Sequence, residues 1–259
     1  MYQASVNGIS LHYDRLGNGE PLVLIHGLGE RKEGWKFQHM LAEHFDLIIP
    51  DLRGFGETRC SEGQEITIKE FANDIVGLLD VLGIGQAHIL GFSMGGMTAQ
   101  EICKSYPERV KSLILANTLF YVPKWVKKFL LWSNRNYINN LNLENFQMGA
   151  TLRCLYNQSE ENIQKVMPIW SEHLDGTLAG LNECLQIDYR KTLKGINVPT
   201  LVISCKNDKI CPAFNQKRMH KLIPNSLIYT ITEAGHEGRI EKTEEFNRVV
   251  LDFLTTGSI

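Results

Sequence analysis

The sequence has almost no excess of either charge. Its formal net charge is −2 over 259 residues, and its densest basic stretch, 124–128, holds three lysines among aromatics. Neutralising a nucleic-acid backbone needs a clustered positive field, so nucleic-acid binding is excluded as the main function. No apolar run approaches the roughly 20 residues of a membrane span, and no membrane insertion is expected. The opening Met1-Tyr2-Gln3 does not begin a charged-then-apolar leader. None of the six cysteines forms a C-x-x-C pair, and their spacing resembles no zinc site. A reducing cytoplasm is the expected setting, with the cysteines as core fillers and Cys60 the most exposed of them. Internal repeats and low-complexity segments are also missing.

What is present is apolar mass in short runs. Hydrophobic residues make up 43% and charged residues 22%, enough for a sizeable core in a single large domain. Residues 2–7 and 9–14 read as a hairpin turning at Asn7-Gly8. Residues 21–25 and 45–50 are continuous apolar runs, the pattern of buried parallel strands. Residues 67–82 read as a helix, with Thr67 and Glu70 in capping-box spacing and one apolar face of Phe71, Ile75, Leu78, Leu79 and Leu82. Strands follow at 87–90, 112–116, 200–204 and 226–230, and helices at 94–105 and 243–254. This alternation predicts an α/β fold with a mostly parallel central sheet flanked by helices. Residues 119–189 contain no convincing strand. They are helical in pattern and carry Trp125, Phe129, Trp132, Tyr137, Phe146 and Trp170. The expected organisation is a core of residues 1–118 and 190–259, with 119–189 inserted as a helical cap, or lid.

The chemistry-bearing signal is Gly91-Phe92-Ser93-Met94-Gly95, followed by Gly96. A G-x-S-x-G pattern alone recurs by chance. This one lies between a predicted strand and a predicted helix, where a sharp turn exposes the serine hydroxyl. Gly91 and Gly95 remove side chains that would clash across such a turn, and Gly96 lets the helix approach the sheet. A serine hydroxyl needs a base. His236 stands in Ala234-Gly235-His236-Glu237-Gly238, just past the last strand, where a loop residue can reach the same crevice as Ser93. The base in turn needs a group that fixes its tautomer. Asp208 follows the 200–204 strand directly; Asp188 and Glu237 are the competing carboxylates. Two oxyanion donors complete the set. Met94, next after Ser93, supplies one backbone N–H, and Leu28 in His26-Gly27-Leu28-Gly29 supplies the other. His26 is read as a loop-holding ring, not a base.

These motifs resemble the α/β-hydrolase superfamily, in which the chain order is that of Ser93, Asp208 and His236. Asp51-Leu52-Arg53-Gly54-Phe55-Gly56 matches the family's D-x-R-G-x-G turn, which is chiefly structural, and Pro212 after Asp208 also fits. The resemblance covers nearly all of residues 3–255, with 119–189 matching only in kind. It is similar in particular to the esterase, 3-oxoadipate enol-lactonase and cofactor-free haloperoxidase branch. Branches with aspartate or cysteine at the nucleophile position do not match Ser93.

The resemblance implies a serine hydrolase that cleaves a small, largely apolar ester or lactone through an acyl-enzyme, with no metal or organic cofactor. Carbon–carbon bond hydrolysis or perhydrolysis on the same triad, and a ligand-binding sensor on a hydrolase fold, are the alternatives. Trp125, Phe129 and Trp132 are candidates to line the substrate pocket, although aromatics fill cores equally well. Monomer and homodimer both remain open.

Overall fold

Asn7 and Gly8 take positive φ of 45° and 78°, the two-residue turn that right-twisted strands accept. They join β1 (Tyr2–Val6) to β2 (Ile9–Leu16) as an antiparallel hairpin. Six further strands follow: β3 (Glu20–Ile25), β4 (Phe45–Pro50), β5 (Ala87–Phe92), β6 (Val110–Ala116), β7 (Thr200–Cys205) and β8 (Leu227–Ile231). In the computed structural model, which describes residues 1–61, 63–133 and 142–259, the eight form one sheet in the order β1-β2-β4-β3-β5-β6-β7-β8. Only the β1–β2 and β2–β4 pairs are antiparallel; β4 through β8 run parallel. β4, β5 and β7 are buried at every position, as expected of largely apolar strands covered on both faces, and they carry Asp46, His88 and Ser204 inward with them.

Helices cover both faces. On one lie α1 (Ile68–Val81) and α2 (Met94–Ser105), whose Phe71, Ile75, Leu79, Met97 and Ile102 join a single apolar cluster with Val23, Ile25 and Ile89 of the sheet. Burying a side chain of that size contributes at most about 2–3 kcal/mol. On the other face, Trp35 and Leu41 of a 3₁₀ run (Lys32–Glu43) pack with Phe246, Val249 and Val250 near the C-terminus. The Thr67 hydroxyl caps α1 by accepting from the Glu70 N–H at 3.1 Å. The reciprocal half of the capping box does not form. The Glu70 carboxylate instead accepts from Asn73 and lies 3.6 Å from Arg53.

Residues 119–189 carry α3 (Lys124–Ser133), α4 (Leu143–Cys154), α5 (Glu160–Val166) and α6 (Leu174–Cys184), and no strand among the described residues. Tyr137 lies outside the described residues. After this segment come α7 (Arg190–Lys194), α8 (Ala213–Leu222), α9 (Gly238–Glu241) and α10 (Thr243–Thr256). All six cysteines are free; four are buried, while Cys60 and Cys103 are partly exposed.

The D-x-R-G-x-G turn after β4 is held by buried charge. The Asp51 carboxylate accepts from the Lys32 amide at 2.7 Å, the Glu57 amide at 3.0 Å and the Lys32 ammonium at 3.1 Å. Arg53 donates to both oxygens of the fully buried Asp74 on α1, each at 2.6 Å. Removing one member of such a pair strands the other. Asp74→Ala is therefore expected to cost about 3–5 kcal/mol in urea denaturation. A loss no larger than the roughly 1 kcal/mol of a surface pair would show that Asp74 does not hold the turn.

Candidate active site

Ser93 is the single residue between β5 and α2, at φ 53° and ψ −116°. A side chain at positive φ is strained by contact with its own backbone, so the surroundings must hold it there. The Ser93 amide donates to the Ala116 carbonyl at 3.0 Å. Its carbonyl accepts from the Gly96 amide at 3.0 Å and from the Thr118 hydroxyl at 2.6 Å. A Cβ at Gly91 would sit 2.3 Å from the Gly95 carbonyl oxygen, and one at Gly95 would sit 2.1 Å from that of Ile25. One at Gly96 would lie 2.6 Å from the Thr118 side chain. Glycine at these three positions lets the turn close on the sheet.

The candidate residues meet at the C-terminal ends of parallel strands. Ser93 follows β5, Asp208 follows β7 and His236 follows β8. His236 Nε2 lies 2.9 Å from the Ser93 hydroxyl, and Nδ1 lies 2.8 Å from Asp208 Oδ2. All three residues are buried. The other Asp208 oxygen accepts from the amides of Ile210 at 2.7 Å and Cys211 at 2.8 Å. Those bonds orient the carboxylate toward the ring. With Nδ1–H donating to Asp208, Nε2 is left to accept the serine proton. The competing carboxylates are elsewhere: Asp188 pairs with Arg190 at 2.7 Å, and Glu237 pairs with Arg239 at 3.0 Å.

Asp208, Cys211 and His236 present ligand atoms within 4.8 Å of one another, a spacing that a metal ion could bridge. The chemistry of the set favours the hydrogen-bonded arrangement. Burial pushes the Cys211 thiol well above its ordinary value, which keeps it protonated and a poor ligand.

Met94 directly follows Ser93, and Leu28 lines the same cavity as Ser93. Neither backbone N–H donates a hydrogen bond among the described residues. His26 is fully buried beneath this loop. The Leu52 amide donates to its Nε2 at 3.0 Å, so Nδ1 carries the proton and donates to the Gly27 carbonyl at 2.8 Å. Burial depresses its basicity further, consistent with a neutral ring that holds the loop.

Two residues that sequence reasoning passed over hold the site from β6. Thr118 anchors the Ser93 carbonyl, and Asn117, at φ 44°, donates to the His236 carbonyl at 2.7 Å. Their sequence signal was slight: an Asn-Thr pair directly after a predicted strand.

Ser93 and His236 open onto a cavity of about 640 Å³ between the sheet and residues 119–189. Its wall is mostly apolar and includes Leu28, Met97, Phe120, Phe146, Trp170 and Leu181. Of the three aromatics expected to line a pocket, Trp125 does so. Phe129 and Trp132 do not. They are 57% and 76% exposed and pack on each other at 6.4 Å between ring centroids. Among the described side chains of α3, Trp125 and Val126 are the ones that reach the cavity.

A model of the alpha/beta hydrolase fold matches residues 20–243, so the chain belongs to the α/β-hydrolase family and is an enzyme of that class. It is 31% identical to a 2-hydroxy-6-oxononadienedioate/2-hydroxy-6-oxononatrienedioate hydrolase of Pseudomonas putida, over 95% of this chain and 92% of that one. Among solved structures it is similar to a thermophilic esterase from Thermogutta terrifontis, with TM-score 0.88, 27% identity and coverage of 98% and 97% of the two chains. It also matches the enol-lactonase from Burkholderia xenovorans LB400, with TM-score 0.86, 25% identity and coverage of 98% and 100%.

The strain at Ser93 has a measurable consequence. Ser93→Gly relieves the clash at positive φ, whereas Ser93→Ala retains it. The glycine variant is expected to be more stable than the alanine variant by about 1 kcal/mol in urea denaturation. Equal or lower stability would mean that the turn costs nothing at Ser93.

Proposed function

We propose that this enzyme hydrolyses a carboxylic ester or lactone of a small, largely apolar substrate through an acyl-enzyme on Ser93. The observation that carries this reading is the hydrogen-bonded chain Ser93–His236–Asp208 opening onto an apolar cavity. His236 Nε2 takes the Ser93 proton as the oxygen attacks the substrate carbonyl. The oxyanion forms beside the Leu28 and Met94 amides, each donor worth roughly 3–4 kcal/mol to the transition state. The imidazolium returns its proton to the departing alkoxide as the carbon–oxygen bond breaks. Water then enters, His236 removes its proton, and the acid leaves with Ser93 re-protonated. Asp208 stays ionised and keeps Nδ1–H in place throughout. The base and acid roles together account for about 10²–10⁴-fold of the rate.

Residues 119–189 act as the cap. Phe146, Trp170 and Leu181 exclude water above Ser93 and set the size of the acyl group. A second reading has one observation in its favour. The Pseudomonas putida relative is named for a substrate that carries a ketone and two carboxylates but no ester. The same serine attack on a ketone would release a carbon leaving group that His236 protonates.

The test is hydrolysis of a chain-length series of p-nitrophenyl esters by wild type, Ser93→Ala and Asp208→Asn. Wild type is expected to turn over short and medium chains, with Ser93→Ala at background. Asp208→Asn is expected to fall on the order of 10⁴-fold in kcat, because the ring then takes the wrong tautomer. Ester turnover that survives in Ser93→Ala would remove the nucleophile assignment. Turnover of ketone substrates alone would favour the second reading.

A further inference from the structure

Beside Ser93 and His236 lies a cluster of buried charge, two of whose members, Glu30 and Glu237, reach the same cavity, and the mechanism above does not use it. Glu30 stands two residues after Leu28, Glu237 follows His236, and Arg239 is the second residue of the adjoining α9. All three are buried to 1% exposure or less. One guanidinium nitrogen, Arg239 Nη2, lies 2.6 Å from Glu30 Oε2 and 3.0 Å from Glu237 Oε2. The other, Nη1, donates to the Gly34 carbonyl. The guanidinium lies 4.7 Å from the Trp35 centroid and 4.3 Å from that of Phe92, two rings set nearly edge to face. Phe92 in turn packs on the His236 ring at 4.9 Å. The chain leaves room for the cluster: a Cβ at Gly27 would lie 2.8 Å from one Glu30 oxygen, and one at Gly34 would lie 2.9 Å from the other.

We propose that Glu30, Arg239 and Glu237 form a brace that fixes the oxyanion loop against the His236 loop, making them positioning residues for the reaction at Ser93. The two loops leave different strands, β3 and β8, which are not neighbours in the sheet. No ladder hydrogen bond therefore sets their separation. The brace spans the gap with one cation held between two carboxyl groups.

The charge count explains why two carboxyls are present. A buried guanidinium balances a single carboxylate, and an unbalanced buried charge is costly. The pair therefore retains one proton. Burial and the facing Glu30 carboxyl push Glu237 well above the usual carboxylate range, with Glu241 adding to the effect and Arg239 opposing it. The brace is then neutral overall. Arg239 pairs with Glu30 at 2.6 Å, and the proton on Glu237 would make that carboxyl a donor facing Glu30. Near a reacting centre, a shift of about 1 Å costs on the order of 10²-fold, so a brace of this kind acts on kcat more than on binding.

This proposal rests on the serine-hydrolase reading, and variants at Glu237 separate the two. Glu237→Gln keeps the shape and a donor toward Glu30. Glu237→Leu keeps the volume and removes the donor. On the preferred p-nitrophenyl ester, the glutamine variant is expected within about threefold of wild-type kcat. The leucine variant is expected to lose roughly tenfold or more in kcat at little-changed KM. Affinity for a trifluoromethyl ketone, which needs the assembled oxyanion site, should fall in parallel.

A packing role alone would tolerate leucine at least as well as glutamine. The triple variant Glu30→Leu/Glu237→Leu/Arg239→Met provides the folding-safe check, since replacing a whole buried ionic group with apolar residues usually preserves stability. It is expected to unfold at a urea midpoint near that of wild type, yet to be slow. Wild-type kcat in either the leucine or the triple variant overturns the brace, as does an equal loss in glutamine and leucine. Absence of Ser93-dependent turnover in the wild type would overturn the hydrolase reading, and the brace's role in catalysis with it.

Discussion

The backbone of Ser93 is the constraint on which the site depends. A side chain held at positive φ between a strand and a helix has no local reason to stay there. It stays because β5 and β6 are paired beside it and because Thr118 and Gly96 hold its carbonyl. Three glycines let the turn close on the neighbouring backbone. Once that turn is set, the parallel sheet does the rest. The ends of β5, β6, β7 and β8 lie side by side, and Ser93, Asn117, Asp208 and His236 arrive at one edge from four separate segments.

Loops at that edge cannot borrow rigidity from ladder hydrogen bonds, and this chain holds them with buried charge. Asp51 gathers the Lys32 ammonium and two backbone amides, and Arg53 reaches across to Asp74. Arg239 joins Glu30 to Glu237. Glu241 takes amides from Tyr156 and Asn157 at 3.0 and 2.8 Å and from Gly235 at 2.7 Å, which ties the segment above the cavity to the loop that carries His236. Each pair gains from low dielectric only because its partners are in place, so the loops are fixed together or not at all.

Much of this was legible in the sequence, for identifiable reasons. Continuous apolar runs marked the parallel strands, and Asn7-Gly8 marked the hairpin. The α2 boundaries fell at Met94 and Ser105, where the Gly91-Phe92-Ser93 turn precedes and Pro107 follows. Elements with weak patterning were missed. The 3₁₀ run from Lys32 to Glu43 buries a lysine and a glutamine beside Trp35 and Leu41, and α8 buries only Gln216 and Met219. Neither presents an apolar stripe wide enough to read. The aromatics of α3 read differently: a regular stripe of Trp125, Phe129 and Trp132 suggested a pocket wall, yet all three are exposed and Trp125 alone of them is among the described lining residues.

The sequence by itself determined the strongly patterned elements and the candidate reacting groups. Strand periodicity, glycine spacing and the chain order of Ser93, Asp208 and His236 are local properties that residue types can encode. Only the tertiary structure decided which groups support them. Asn117, Thr118, Glu30 and Arg239 lie up to 209 residues from the partners they hold. Their roles come from sheet order and from the cost of burying an unpaired charge, and both exist only once the chain has packed.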